Sequence, residues 1–238
     1  MNAKIHPTAI IGDNVKIGSG SVIHPYAIIG TDAENKYSEV NEKTGGVVIG
    51  NNTIIREGVT INAPIDDMTV VGNNCYLMAK SHIGHDGKLG DNVTMSTNAI
   101  VGGHSIIRDY SVLGLNSVIH QKRYVGEFSM VGMLTPISNH VPPFLISYGN
   151  PGTWHRVNEF GMKRHGYDQK MIDVVKDYYR YYFYNSKNTN HKIFKHQFTR
   201  IPMVDFINYI GKDKIISYGG SAVMSTVINR RDDVEYSM

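Results

Sequence analysis

Between positions 82 and 120 the chain collects His82, His85, Asp86, Gly103, His104 and His120. A neutral imidazole titrates near neutral pH and can take a proton from a hydroxyl or amine nucleophile. A neighbouring carboxylate such as Asp86 fixes the imidazole tautomer and stabilises the imidazolium that forms. A backbone amide unshielded by a side chain, as at Gly103, can donate to the oxyanion of a tetrahedral intermediate. Together these are the parts of an acyl-transfer site. The pattern offers no serine or cysteine nucleophile paired with a histidine, so direct attack by the acceptor, without an acyl-enzyme, is the expected route.

Two other readings stay open. Histidines at the corners of a repeat can be satisfied interface residues. Clustered histidines also bind metal, and β-helical carbonic anhydrases hold zinc across a trimer interface with a close histidine pair at five-residue spacing. This chain lacks that pair, so no metal is expected.

What brings these residues together is a period of six. Aliphatic residues recur at Ile5, Ile11, Ile17, Ile23 and Ile29, resume at Ile49, Ile55 and Ile61, and run from Val71 through Leu77, Ile83, Leu89, Met95, Val101, Ile107, Leu113, Ile119, Val125 and Val131 to Ile137. A small residue usually precedes each by two places, and glycine often follows directly. Neither a helix nor an ordinary strand repeats at six, so the pattern is that of a solenoid. Each hexad predicts a short strand with its aliphatic side chain inward. A corner follows that needs a compact or left-handed residue, for which the glycines are the expected candidates. Three hexads close a triangular turn of about 18 residues. The fold class expected is a β-solenoid, a parallel β-helix of about seven coils. Adding 18 to 85 gives Gly103, and adding it again gives Gln121, while His104 falls above Asp86. The histidines therefore form one compact patch.

Composition sets the outer limits. The 238 residues suffice for one large domain with a small companion. A net charge of +3 is too slight for a nucleic-acid partner. No apolar run reaches the length of a membrane span. The amino terminus enters the repeat at once, without room for a signal peptide. The single cysteine, Cys75, falls at a small-residue position and suits a reducing cytoplasm.

Two insertions interrupt the solenoid, residues 31–46 and the shorter Asn62-Ala-Pro-Ile-Asp-Asp segment. Insertions in repeat proteins leave as loops on one face and often build the binding site. The pattern stops at Val141-Pro142-Pro143, which divides the chain into a β-helix over 1–141 and a helical domain over 142–238. From about Pro151 the periodicity reads as helical. Ile172, Val175, Tyr179, Tyr182 and Phe183 share one helix face behind Asp168, and Met203, Phe206, Ile207 and Ile210 mark a second helix. This carboxy-terminal part concentrates the basic residues, as a solvated face or as a site for an acidic partner. Three flat outer faces predict a homotrimer.

The segments Tyr76-Leu-Met-Ala-Lys-Ser-His-Ile-Gly-His-Asp, Ile100-Val-Gly-Gly-His, Val118-Ile-His-Gln and Val141-Pro-Pro-Phe-Leu-Ile-Ser-Tyr-Gly-Asn resemble the UDP-N-acetylglucosamine O-acyltransferases of lipid A synthesis. The resemblance spans roughly residues 5–185. It implies a trimeric left-handed β-helix with a helical carboxy-terminal domain. It also implies transfer of a 3-hydroxyacyl chain from acyl carrier protein to the 3-hydroxyl of the sugar. By the same resemblance His85 is the general base, Asp86 its orienting carboxylate and Gly103 the oxyanion amide. His82, His104, His120 and Gln121 would contact the acceptor or acyl group, Glu34 and Lys36 the acceptor, and Asn158 and Arg164 the nucleotide and carrier. Met133 stands where long-chain enzymes of the family have glycine, which implies a short or medium acyl chain. No cofactor is implied beyond the donor on phosphopantetheine or coenzyme A. Asn62, Phe160 and Pro151 depart from the family pattern. Two alternatives follow: an N-acyltransferase on a nucleotide amino sugar, with acyl carrier or coenzyme A donors, and a non-catalytic β-helical scaffold.

Overall fold

The computed structural model describes residues 2–36 and 45–184. The hexads form a parallel β-solenoid with three flat faces. Face one stacks Lys4–Ile5, Val22–Ile23, Ile54–Ile55, Tyr76–Leu77, Thr94–Met95, Val112–Leu113 and Met130–Val131. Face two runs from Ile10–Ile11 through Thr60–Asn62, His82–Ile83, Ile100–Val101 and Val118–Ile119 to Pro136–Ile137. Face three runs from Val15–Ile17 through Thr69–Val71 and Lys88–Leu89 to Tyr124–Val125. Tyr76 pairs with Thr94 and His82 with Ile100, so stacked residues differ by 18. The predicted aliphatic positions from Ile23 to Ile137 are almost entirely buried in one continuous core. Seven coils are laid down, and the stack runs on past position 141. Val141 bridges Val125, and Leu145–Tyr148 pairs parallel with Met130–Val131 to begin an eighth coil.

From Ser21 onward the small residue of each hexad is buried. At several coils its hydroxyl satisfies the next coil: Ser21 Oγ donates to Gly50 O at 2.8 Å and Thr53 Oγ1 to Gly72 O at 2.8 Å. Gly20 and Gly58 hold left-handed corners as expected, but most of the glycines have a different role. The left-handed corner slot, three places after each aliphatic residue, is held mostly by Asn, Lys, Asp, His, Tyr, Phe and Leu, with φ between 53° and 63°. Gly72, directly after Val71, instead allows close stacking. A Cβ there would stand 2.4 Å from Gly90 O.

The segment after Gly149 also differs from the helical reading. Thr153–Val157 is a strand, antiparallel to Leu145–Tyr148, and it extends face one. Its alternation is too short, and too interrupted by Gly149-Asn150-Pro151, to stand out in the sequence. Helix α1 (Glu159–Arg164) follows, then α2 (Gln169–Tyr184). Asp168 starts α2 as expected, its Oδ1 accepting Met171 N–H at 2.8 Å. Ile172, Val175 and Tyr179 are buried against Tyr124, Phe128, Phe144 and Trp154 in a second core. The second expected helix lies outside the described residues. None of the described helices is long and apolar enough to cross a membrane.

Candidate active site

His85 and Asp86 occupy the corner between faces two and three. His85 Nδ1 lies 2.9 Å from Asp86 Oδ2. Asp86 Oδ2 also accepts Ile65 N–H at 2.9 Å, and Oδ1 accepts Asp66 N–H at 3.1 Å and Asp67 N–H at 2.8 Å. A carboxylate offers about four lone-pair directions, and here all are engaged. Burial alone would raise the Asp86 pKa, but these amide bonds and the bond to His85 outweigh it and bring the carboxyl down to about 2. An ionised carboxylate only accepts, so in the neutral ring Nδ1 of His85 carries the proton and Nε2 presents a lone pair. That is the tautomer a general base requires.

Nε2 faces Gly103, one coil on. A Cβ at Gly103 would stand 2.6 Å from Nε2, so the imidazole lies where any other residue would put its side chain. Gly102 N–H donates to Ile119 O, and His104 N–H to His85 O at 2.9 Å. Gly103 N–H between them donates to no group among the described residues. The Nε2 lone pair and the Gly103 amide are thus adjacent.

His104 packs edge-on against His85, with ring centroids 4.9 Å apart. Its Nε2 lies 3.4 Å from Asp66 Oδ2 and 3.8 Å from Asp86 Oδ2. His82 Nδ1 is hydrogen-bonded to Thr60 Oγ1 at 2.7 Å, and burial lowers its pKa, which favours the neutral ring. His120 is exposed on the next coil, its Nδ1 3.2 Å from Gln121 O. Glu34 and Lys36 are exposed at the root of the long insertion, and the charge of Glu34 acts on His82. The contacts therefore bring together His85, Asp86, Gly103 and His104 of the patch inferred from 18-residue arithmetic, while His82 contacts Thr60.

Asn158 and Arg164 lie in the carboxy-terminal segment, at the two ends of α1. Asn158 caps α1, its Oδ1 accepting Gly161 N–H at 3.0 Å while Nδ2 donates to Phe128 O at 2.8 Å. Arg164 is exposed in the last turn of α1. No contact joins either residue to the histidines among the described residues. Met133 is 67% exposed, beside exposed Leu134 and Leu115. A cavity of about 520 Å³, lined by Tyr110, Phe128, His165, Tyr167, Asp168 and Met171, contains none of the expected site residues.

The serines and the cysteine near the patch are buried. Ser81 and Ser105, each adjacent in sequence to a histidine, are fully buried. The Cys75 thiol is pushed up to about 11, chiefly by burial. His85, Asp86 and His104 approach closely enough for one cation, with ligand atoms within 4.8 Å of one another. However, the four acceptor positions of Asp86 are already filled by N–H donors. Sequence reasoning missed Thr69, whose Oγ1 accepts Asp86 N–H, and the amides of residues 65–67. The only signal was that the second insertion begins at Asn62, just below the histidines.

Fold and site together define a hexapeptide-repeat acyltransferase. Residues 1–31 match the bacterial transferase hexapeptide family (six repeats), and residues 140–214 match domain 2 of UDP-N-acetylglucosamine O-acyltransferase. The acyl-[acyl-carrier-protein]–UDP-N-acetylglucosamine O-acyltransferase of Sinorhizobium fredii is 36% identical over 221 residues, covering 76% of this chain and 81% of that protein. The enzyme of the same name from Campylobacter concisus is 34% identical, covering 76% and 74%. Among solved structures, the UDP-N-acetylglucosamine acyltransferase of Bacteroides fragilis superposes with a TM-score of 0.78 at 29% identity, covering 87% of this chain and 84% of that one. The chain belongs to the UDP-N-acetylglucosamine O-acyltransferase family.

Proposed function

We propose that this protein moves a 3-hydroxyacyl chain from acyl carrier protein to the 3-hydroxyl of UDP-N-acetylglucosamine. The observation that carries the reading is the His85 ring, held with Nδ1 on Asp86 and Nε2 against Gly103. In this reading Nε2 takes the proton of the sugar hydroxyl as its oxygen attacks the thioester carbonyl. The Gly103 amide receives the oxyanion. Collapse breaks the C–S bond, and the imidazolium returns its proton to the phosphopantetheine thiolate. His82, His104, His120 and Gln121 surround the acceptor and acyl group, Glu34 and Lys36 hold the sugar, and Asn158 and Arg164 meet nucleotide and carrier. No metal or bound cofactor takes part.

Several of these residues lie far apart along one solenoid, which supports a site completed by neighbouring subunits. Ile10, Ile100 and Val118 leave face two apolar and exposed, and a homotrimer would cover them. A donor on acyl carrier protein would make this a cytoplasmic reaction.

The reading is tested by incubating the protein with UDP-N-acetylglucosamine and with its 3-amino analogue, each with acyl carrier and coenzyme A donors, and following product mass. Acylated UDP-N-acetylglucosamine from the carrier donor is expected. Turnover of the amino analogue alone would reassign the acceptor, and turnover of none would leave a scaffold.

A further inference from the structure

In regular coils the left-handed corner residue donates its N–H to a carbonyl of the coil below. His104 donates to His85 O, Lys122 to Gly103 O and Tyr110 to Asp91 O. At Asp86 this ladder is broken, because the second insertion occupies the place of the coil below. Asp86 N–H donates instead to Thr69 Oγ1, at 2.9 Å. Among the described residues only Tyr26, on Thr8 of the first coil, has the same arrangement. Thr69 is fully buried at the first position of its strand, so its hydroxyl is held by the core.

The insertion itself completes the substitution. The amides of Ile65, Asp66 and Asp67 converge on the Asp86 carboxylate, and Asp67 is tied by an ion pair to Lys88, the first residue of the strand after the corner. Thr69 thus fixes the Asp86 backbone and the three amides fix its side chain. Between them they leave Asp86 one orientation, the one that meets His85 Nδ1.

We propose that Thr69 is a positioning residue for the base, replacing the missing carbonyl of the corner ladder, and that the second insertion serves to set Asp86 and through it His85. The proposal rests on the reading of His85 as general base. Thr69 touches neither substrate nor the reacting atoms, and its effect runs through Asp86.

The test is a double-mutant cycle on acyl transfer to UDP-N-acetylglucosamine in the full-length protein. Thr69→Val keeps the shape of the side chain and removes the acceptor. It should lower kcat by about tenfold or more, a fraction of what general-base catalysis supplies, with KM for the sugar changed less than about twofold. Thr69→Ser, which keeps the oxygen, should stay within about threefold of wild type. In a His85→Ala background the valine change should cost less than about twofold, because no base remains to be positioned. Equal losses in both backgrounds would overturn the proposal, since they would mark a general structural effect. So would a valine variant with wild-type kcat, a serine variant as impaired as valine, or a valine variant that no longer folds, which would assign Thr69 to the fold alone. A His85→Ala protein with near-normal rate would defeat the underlying reading instead, whatever Thr69 does.

Discussion

At the corner between faces two and three, Asp86, His104 and Lys122 sit in successive left-handed slots with φ of 57°, 56° and 59°. At the corner between faces three and one, Tyr110, Phe128 and Phe144 hold the equivalent slots at 59°, 56° and 63°. The backbones are nearly the same. The first corner carries a carboxylate, an imidazole and an ammonium. In the second, Tyr110 stacks on Phe128 at 4.7 Å and Phe128 on Phe144 at 5.5 Å. That aromatic column receives the helical segment, since Asn158 donates to Phe128 O and the Tyr179 hydroxyl donates to Pro143 O at 2.6 Å. A left-handed slot turns its side chain out of the wall, where it is free to meet another element or a ligand. The coil itself is indifferent to which of these happens.

Substitutions at the two corners should therefore fail in different ways. The largest effect is expected for His85→Ala, which should lower kcat by about 10²–10⁴-fold while leaving thermal unfolding and the oligomeric state close to wild type. A variant within a few-fold of wild type would show that this corner is structural too. Phe128→Ala should do the reverse. Phe128 is 9% exposed and stacked on both sides, so truncation should cost about 3 kcal/mol of stability, read as a lower denaturant midpoint. Its kcat per folded molecule should be little changed; a collapse of kcat without loss of stability would erase the distinction between the corners.

The third corner, between faces one and two, gives the smallest and most selective effect. Its later coils carry Leu115, Met133 and Leu134, all exposed. A methionine there occupies the room of several methylenes, each worth about 0.8 kcal/mol when buried. On the proposed function, Met133→Gly should shift donor preference toward longer acyl chains with little change in rate on shorter ones. An unchanged chain-length profile would place the stop elsewhere.

The solenoid was legible because an inward side chain every sixth residue is a requirement of residue type, and residue type is what a sequence records. The same holds for the histidine patch, since a constant 18-residue coil turns spacing into position. His85, Gly103 and His104 could be located by addition alone. What could not be read was the support beneath them. The amides of Ile65, Asp66 and Asp67 belong to the backbone and would be present with almost any residues there. Thr69 looks like any strand threonine until the interrupted ladder is seen. The glycines misled for a related reason: glycine permits both left-handed backbone and close approach, and only the φ angles and the 2.4 Å clearance at Gly72 tell the two apart.

That clearance also determines how such a chain can change length. With a carbonyl of the next coil pressed against a glycine, the wall has no slack to absorb part of a coil. One added residue within a strand would turn every later aliphatic side chain outward. Growth and loss must then come as complete turns, or as bulges that leave and re-enter at a corner, as the segment after Asn62 does. The molecule can be edited like a stack of tiles, and the tiles beneath Ile49 could be multiplied or removed without altering the spacing that brings His85 to Gly103.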